Sequence, residues 1–255
     1  MYHFKYVTKA EARKVREKLE NLVHEVQDEV RDNFTLQYYF IGSSARNMIT
    51  YDPETNIGFD FDVNLEVNDN EVNDNEEQYL AKEIRQTLER AFQKVYGKYG
   101  YTHFENSKRV FTIKLYDSQK KKIIHSCDIA IVNNFIDEAG TVGQKYIAFD
   151  KKSNSYSWQQ QSKSFNLKEK ENWLRQRPEA WNAVRERYLK KKNQNQNLHK
   201  HSRSLYTKTI NEICKQYGFD DQLHSSEEKE NQQRAEGFFS LHSLTEYKIG
   251  GLSWH

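Results

Sequence analysis

At 255 residues the chain is long enough for one large domain or two small ones with a full core. Charged residues reach 30% and the hydrophobic fraction only 36%. Yet 16 Tyr, 14 Phe and 4 Trp exclude a disordered chain, and two Pro with ten Gly exclude collagen-like or Pro-rich character. Cys127 and Cys214 are too few for a disulfide framework or a four-cysteine zinc site. No apolar run approaches the roughly 18 residues of a membrane span, and the N-terminus lacks a signal-like apolar core, so a cytoplasmic protein with reduced thiols is expected.

Thr8 followed by Glu11 reads as a capping box. Val15, Leu19, Leu22, Val23, Val26 and Val30 then recur at helical steps, predicting an amphipathic helix from Thr8 to about Arg31. Leu36 to Ile41 is aromatic and β-branched, a strand ending at Gly42, and Asn47 to Gly58 reads as a loop. Phe59 to Asn68 is a strand whose Phe59, Phe61, Val63, Leu65 and Val67 share one face. Asp60, Asp62, Asn64, Glu66 and Asn68 occupy the other. So many acids on one strand face is unusual, because neighbouring carboxylates repel. Asp69 to Glu77 is a polar connection without the Gly and Glu register of an EF-hand.

Leu80, Ile84, Leu88, Ala91, Phe92 and Val95 mark a second helix ending near Gly97. Val110 to Tyr116 and Ile123 to Val132 read as a hairpin with a Lys-rich tip, and Tyr146 to Phe149 with Tyr156 to Gln160 as another. The remainder is helical: one face through Leu167, Leu174, Trp181, Val184 and Tyr188 with Pro178 opening a helix, a polar break at Asn193 to Asn197, and a last helix from Leu198 to Tyr217 closed by Gly218. The order predicts an α+β fold, a mixed sheet flanked by helices in residues 1–161, followed by a helical lobe with its tail in residues 162–255.

The net charge of +2 hides a division. Residues 1–161 carry 22 Lys and Arg against 25 Asp and Glu, residues 162–215 carry 14 against 5, and residues 216–255 carry 3 against 7. A basic middle segment suits an anionic partner, although a solvated helical face would give the same count.

Three features carry chemistry. Gly42-Ser43-Ser44 follows a strand, where glycine lets the backbone approach a phosphate and N–H groups with serine hydroxyls donate to it. Asp60 and Asp62, two apart on a strand, point the same way. Asp128 opens the apolar run Ile129 to Val132, so it also sits on a strand. If the two strands are neighbours, three carboxylates meet, and the natural companions are two Mg²⁺ (or Mn²⁺) ions holding a triphosphate and polarising an attacking hydroxyl. The alternative for Asp60 and Asp62 is an ordinary solvated strand face, for Ser43-Ser44 an ordinary turn, and for His125 and Cys127 structural burial.

Phe40-Ile41-Gly42-Ser43-Ser44, then Phe59-Asp60-Phe61-Asp62-Val63, then Cys127-Asp128-Ile129-Ala130 resembles the DNA polymerase β-like nucleotidyltransferase superfamily. The helical lobe looks like the second domain of poly(A) polymerases and oligoadenylate synthetases. The spacing from Ser43 to Asp60 exceeds the family's usual one by several residues, which the Asp52-Pro53 loop can absorb, and Arg46 to Thr50 loosely matches an Arg-x-x-x-Thr segment of synthetase-like members. The resemblance implies Asp60, Asp62 and Asp128 as catalytic metal ligands, and Gly42, Ser43 and Ser44 at the nucleotide. It further implies a Lys or Arg against the triphosphate and a Tyr against the base, for which Arg203, Tyr206 and Lys208 stand in the right part of the chain.

The expected activity is transfer of an NMP from an NTP to an acceptor hydroxyl, the acceptor being anionic, such as an RNA end or another nucleotide. An antibiotic adenylyltransferase would need acids in the second lobe to bind a cationic substrate, and this lobe is basic. A toxin acting on tRNA or protein, or an idle nucleotide- or RNA-binding module, are the other readings. Against the idle module stands the retention of all three acids.

Overall fold

The structure, a computed structural model, describes residues 2–55, 58–68, 80–136, 142–161, 167–197 and 201–219. The chain divides into two compact units, Met1–Lys163 with Lys192–Gln196, and Ser164–Lys191 with Asn197–His255.

In the first unit, helix α1 (Lys9–Val30) starts at Thr8, whose hydroxyl accepts from Glu11 N at 3.2 Å while Glu11 Oε2 accepts from Thr8 N at 3.3 Å. This reciprocal cap fixes the helix start where the sequence placed it. Leu19, Leu22, Val23, Val26 and Val30 form its buried stripe. Helix α3 (Ala81–Val95) buries Ile84, Leu88, Ala91, Phe92 and Val95 in the same core.

The sheet runs β2 (Thr35–Ile41), β4 (Phe59–Asn68), β7 (Lys122–Ile136), β6 (Val110–Asp117), β5 (His103–Asn106). To this β8 (Val142–Asp150) is added on β7, and β9 (Ser155–Gln160) on β8. All pairings are antiparallel except β4 with β7. One sheet face meets α1 and α3 through Leu36, Phe61, Val63, Leu65, Cys127, Ile129, Ile131, Phe111 and Ile113, all buried. The strict two-residue alternation sends the polar residues of β4 to the opposite face. A four-residue helix α2 (Gly42–Ala45) follows β2 directly.

Arg85 of α3 is fully buried. It donates to Asn106 Oδ1 (2.6 Å) and to the carbonyls of Ser107 (2.8 Å), Arg109 (3.2 Å) and Val110 (3.2 Å), with its guanidinium 4.2 Å from the Phe111 ring centre. One side chain thus ties down the whole β5–β6 turn.

Three departures from the sequence reading have physical reasons. Thr50–Tyr51 (β3), placed in a loop, pairs with Lys5–Tyr6 (β1), and two-residue strands have no periodicity to read. β5 contains a single apolar residue, Phe104, so it carries no alternation signal. Helix α5 (Pro178–Gln194) runs through Asn193, where a polar break was expected. The Asn193 amide accepts from Phe4 N at 2.6 Å and donates to Phe4 O at 3.2 Å, tertiary bonds that offset its weak helix propensity. The connection at 69–77, the first three residues of the expected last helix and the tail beyond 219 lie outside the described residues.

The second unit holds α4 (Leu167–Arg175), α5 up to Lys191, and α6 (Ser202–Tyr217), which ends on Gly218 in the left-handed region at φ +80. Leu174, Ala180, Val184, Tyr188, Leu205, Tyr206, Ile210 and Ile213 are buried in it. The α+β architecture with C-terminal helices is the one expected. No helix among the described residues is long and apolar enough to cross a membrane.

Candidate active site

β4 and β7 run parallel with Asp62 opposite Asp128 and Asp60 opposite Ser126, and β2 runs antiparallel with Ile41 opposite Asp62. Register partners share a sheet face, so Asp60, Asp62 and Asp128 stand together on the polar face beside the β2–α2 junction. The adjacency that the sequence left conditional is present.

Electrostatics record the crowding. Burial, then the charges of Asp128 and Asp60, push the Asp62 carboxyl up to about 6, with Arg46 opposing. Loss of surrounding water also raises Asp60, and Asp128 adds to this, while the Ser126 hydroxyl, Lys192 and Lys114 pull the other way. Asp60 keeps solvent contact. Ser126 Oγ donates to Asp60 Oδ1, and Thr112 Oγ1 donates to Asp128 Oδ1 at 2.6 Å.

No three His, Cys, Asp or Glu side chains among the described residues stand close enough to enclose an ion. The donor set nonetheless suits a hard divalent cation. It is all oxygen, and a cation between the acids would offset both the burial and the mutual repulsion that raise Asp60 and Asp62.

Gly42 has φ +64, a conformation open to glycine, and a Cβ built there would collide with Asp62 Oδ2. The glycine therefore serves the adjacent carboxylate as well as the turn. Ser44 is buried and donates to Ile41 O at 2.7 Å, which closes the short helix, while Ser43 remains partly accessible. Gly42→Ala is expected to lower any transfer activity by about 100-fold through displacement of Asp62, with a modest loss of stability. Steady-state kinetics with a melting curve checks it.

Lys192, at the end of α5 and part of the first unit, was not singled out by the sequence. Its ammonium donates to Thr50 Oγ1 at 2.6 Å and interacts with Asp60; burial brings it down to about 8. A lysine within Lys190-Lys191-Lys192 is indistinguishable in sequence from a solvated helical lysine. Thr112 and Ser126, the two hydroxyls that hold acids, gave no signal either. His125 faces the core, 4% exposed, stacked on Phe59 and edge-on to Tyr101; burial brings it down to about 4, so it is neutral at pH 7.

The residues expected on the helical lobe are on α6. Tyr206, which the resemblance set against the base, lies in the buried stripe with Leu205, Thr209, Ile210 and Ile213, edge-on to Tyr188 at 5.8 Å. Arg203 and Lys208 are exposed and line a shallow groove with Thr207, Asn211 and Lys215.

A strand leading into Gly-Ser, an Asp-x-Asp strand beside it and a parallel strand bearing a third Asp, backed by two helices, make up an α+β fold that solved nucleotidyltransferase structures share. Solved structures that share it include CdnE, DncV and the CD-NTase CdnG. The STING-associated CdnE c-di-GMP synthase of Capnocytophaga granulosa is 14% identical with a TM-score of 0.54, over 85% of this chain and 64% of that one. DncV of Vibrio cholerae, in its 3′-deoxy ATP bound form, is 18% identical with a TM-score of 0.50, over 82% and 53%. CdnG of Bradyrhizobium diazoefficiens, in complex with GTP, is 12% identical with a TM-score of 0.50, over 80% and 65%. The chain thus spans less than two thirds of the length of each of these. No protein-family model and no curated protein sequence matches it.

Proposed function

We propose that the chain is a metal-dependent nucleotidyltransferase that moves an NMP from an NTP to the hydroxyl of an anionic acceptor, another nucleotide or an RNA end. The observation that carries the reading is the parallel register of β4 and β7, which gathers three carboxylates next to the Gly42 junction. Asp60, Asp62 and Asp128 would hold divalent ions, which supply charge neutralisation of the triphosphate and a more acidic attacking hydroxyl. Backbone N–H groups around Gly42 and Ser43 would bind phosphate oxygens.

The acceptor oxygen forms a bond to the α-phosphorus, the α–β bridging P–O bond breaks, and pyrophosphate leaves. Asp128, oriented through Oδ1 by Thr112, takes the hydroxyl proton on its other oxygen. Lys192, facing Asp60, adds positive charge on the triphosphate side. The basic composition of residues 162–215 supports an anionic acceptor over a cationic antibiotic. That similar folds belong to a c-di-GMP synthase and to proteins bound to 3′-deoxy ATP or GTP supports a nucleotide in that place.

Incubation with each α-labelled NTP and Mg²⁺ or Mn²⁺, alone and with total RNA, tests the reading. Label in small products identifies a nucleotide acceptor, and label on RNA identifies end addition. Label confined to protein favours a toxin-type activity, and no pyrophosphate under any condition favours a binding module.

A further inference from the structure

The first strand and the Asp52 loop carry none of the acids, yet both lead to Lys192. Asp52 is fully buried. Its Oδ2 accepts from His3 N at 3.0 Å and its Oδ1 from Glu54 N at 2.9 Å, so one carboxylate ties residue 3 to the loop. The added length between Ser43 and Asp60 thus supplies an anchor for residues 3–6. β1 then pairs with β3, placing Tyr6 opposite Thr50.

Phe4 is held by both its backbone and its ring. The Asn193 amide accepts from its N–H and donates to its carbonyl, as a neighbouring strand would. Tyr2 packs on the ring with centroids 5.2 Å apart. The ring centre lies 4.2 Å from Lys192 Nζ, within cation–π range, and Thr50 Oγ1 accepts from the same ammonium at 2.6 Å. Lys192 and Asn193 are consecutive, so the contacts close a circuit: Asn193 holds the Phe4 backbone, and the Phe4 ring holds Lys192. A lysine stem is flexible, and a head bound on two sides loses that freedom. The head fixed in this way is the one whose charge acts on Asp60.

We propose that Phe4 and Asn193 are positioning residues, which hold the Lys192 ammonium in place and so set the affinity for the triphosphate. The proposal rests on the nucleotidyl-transfer reading, which puts Lys192 on the triphosphate side. Each of the two residues acts through Lys192. A charge fixed before the ligand arrives binds more tightly than one that must be ordered on binding.

Calorimetric titration of the full chain with α,β-methylene ATP and GTP in Mg²⁺ reads the triphosphate, with AMP and GMP as controls. Lys192→Met is expected to weaken the analogue about 30-fold, and Phe4→Leu and Asn193→Ala about fivefold each. Phe4→Tyr keeps the ring and should stay within about twofold of the wild type. Monophosphate affinity should stay within about twofold in all four variants. Adding Phe4→Leu or Asn193→Ala to Lys192→Met should cost less than about twofold more, whereas a merely structural strand would repeat its fivefold loss. Melting curves show which variants are folded; if Asn193→Ala is not, Phe4→Leu decides. Unchanged analogue affinity in folded Phe4→Leu, additive losses in the double variants, or parallel losses for the monophosphates overturn the proposal. A wild type that transfers nucleotide while Lys192→Met binds the analogue normally also overturns it and keeps the transfer reading. A wild type that shows the coupling but releases no pyrophosphate keeps the positioning role and overturns the transfer reading.

Discussion

Asp62→Asn is expected to make the metal-free protein more stable while reducing nucleotidyl transfer by at least about 1,000-fold. The stability half follows from proton linkage. In the fold the Asp62 carboxyl titrates at about 6, above its ordinary value, because burial and the charges of Asp128 and Asp60 disfavour the ionised form. Between roughly pH 4 and pH 6 the unfolded chain has released a proton that the folded chain keeps, so stability falls as pH rises through that window, and the loss is complete above it. Two pH units correspond to about 3 kcal/mol, reduced to about 1–2 by partial solvent contact. Asn has the same shape and no charge to desolvate.

In chelator at pH 7.5 the variant should therefore melt several degrees above the wild type, and the difference should shrink towards pH 4. Adding Mn²⁺ should raise the melting temperature of the wild type and leave the variant unmoved. A variant less stable than the wild type at pH 7.5, or one that retains activity, would remove Asp62 from the site.

Arg85→Leu is expected to be the most destabilising single change in the first unit, about 3–5 kcal/mol by urea denaturation. The loss is not of a charge but of a bracket: the carbonyls of Ser107, Arg109 and Val110 and the amide of Asn106 are left without their common donor. Arg85→Lys should recover only part of the stability, since one ammonium cannot span the four acceptors or lie flat on Phe111. Thr112 follows Val110 by two residues on β6 and holds Asp128, so activity in Arg85→Lys should fall further than its stability alone would explain. A Leu variant within about 1 kcal/mol of the wild type would show that the turn is held otherwise.

Much of the frame was legible because its signals are local. Thr8 and Glu11 cap a helix within one turn of chain, and the alternation from Phe59 to Asn68 fixes both strand and faces. The Gly42 motif and the three acids could be named for the same reason. What could not be read depends on contacts between distant segments: the pairing of Lys5–Tyr6 with Thr50–Tyr51, the extension of α5 through Asn193, and the approach of Lys192 to Thr50 and Asp60. Tyr206, set against the base by the resemblance, belongs to the apolar stripe of α6, which holds its ring in the core.

The central claim is that Asp60, Asp62 and Asp128 converge on divalent ions. Anomalous diffraction from crystals grown with Mn²⁺ and a non-hydrolysable NTP tests it most directly. Manganese peaks are expected at Asp60, Asp62 and Asp128, with the triphosphate beside Gly42. Peaks elsewhere, or an NTP bound while all three carboxylates remain free of metal, would contradict it.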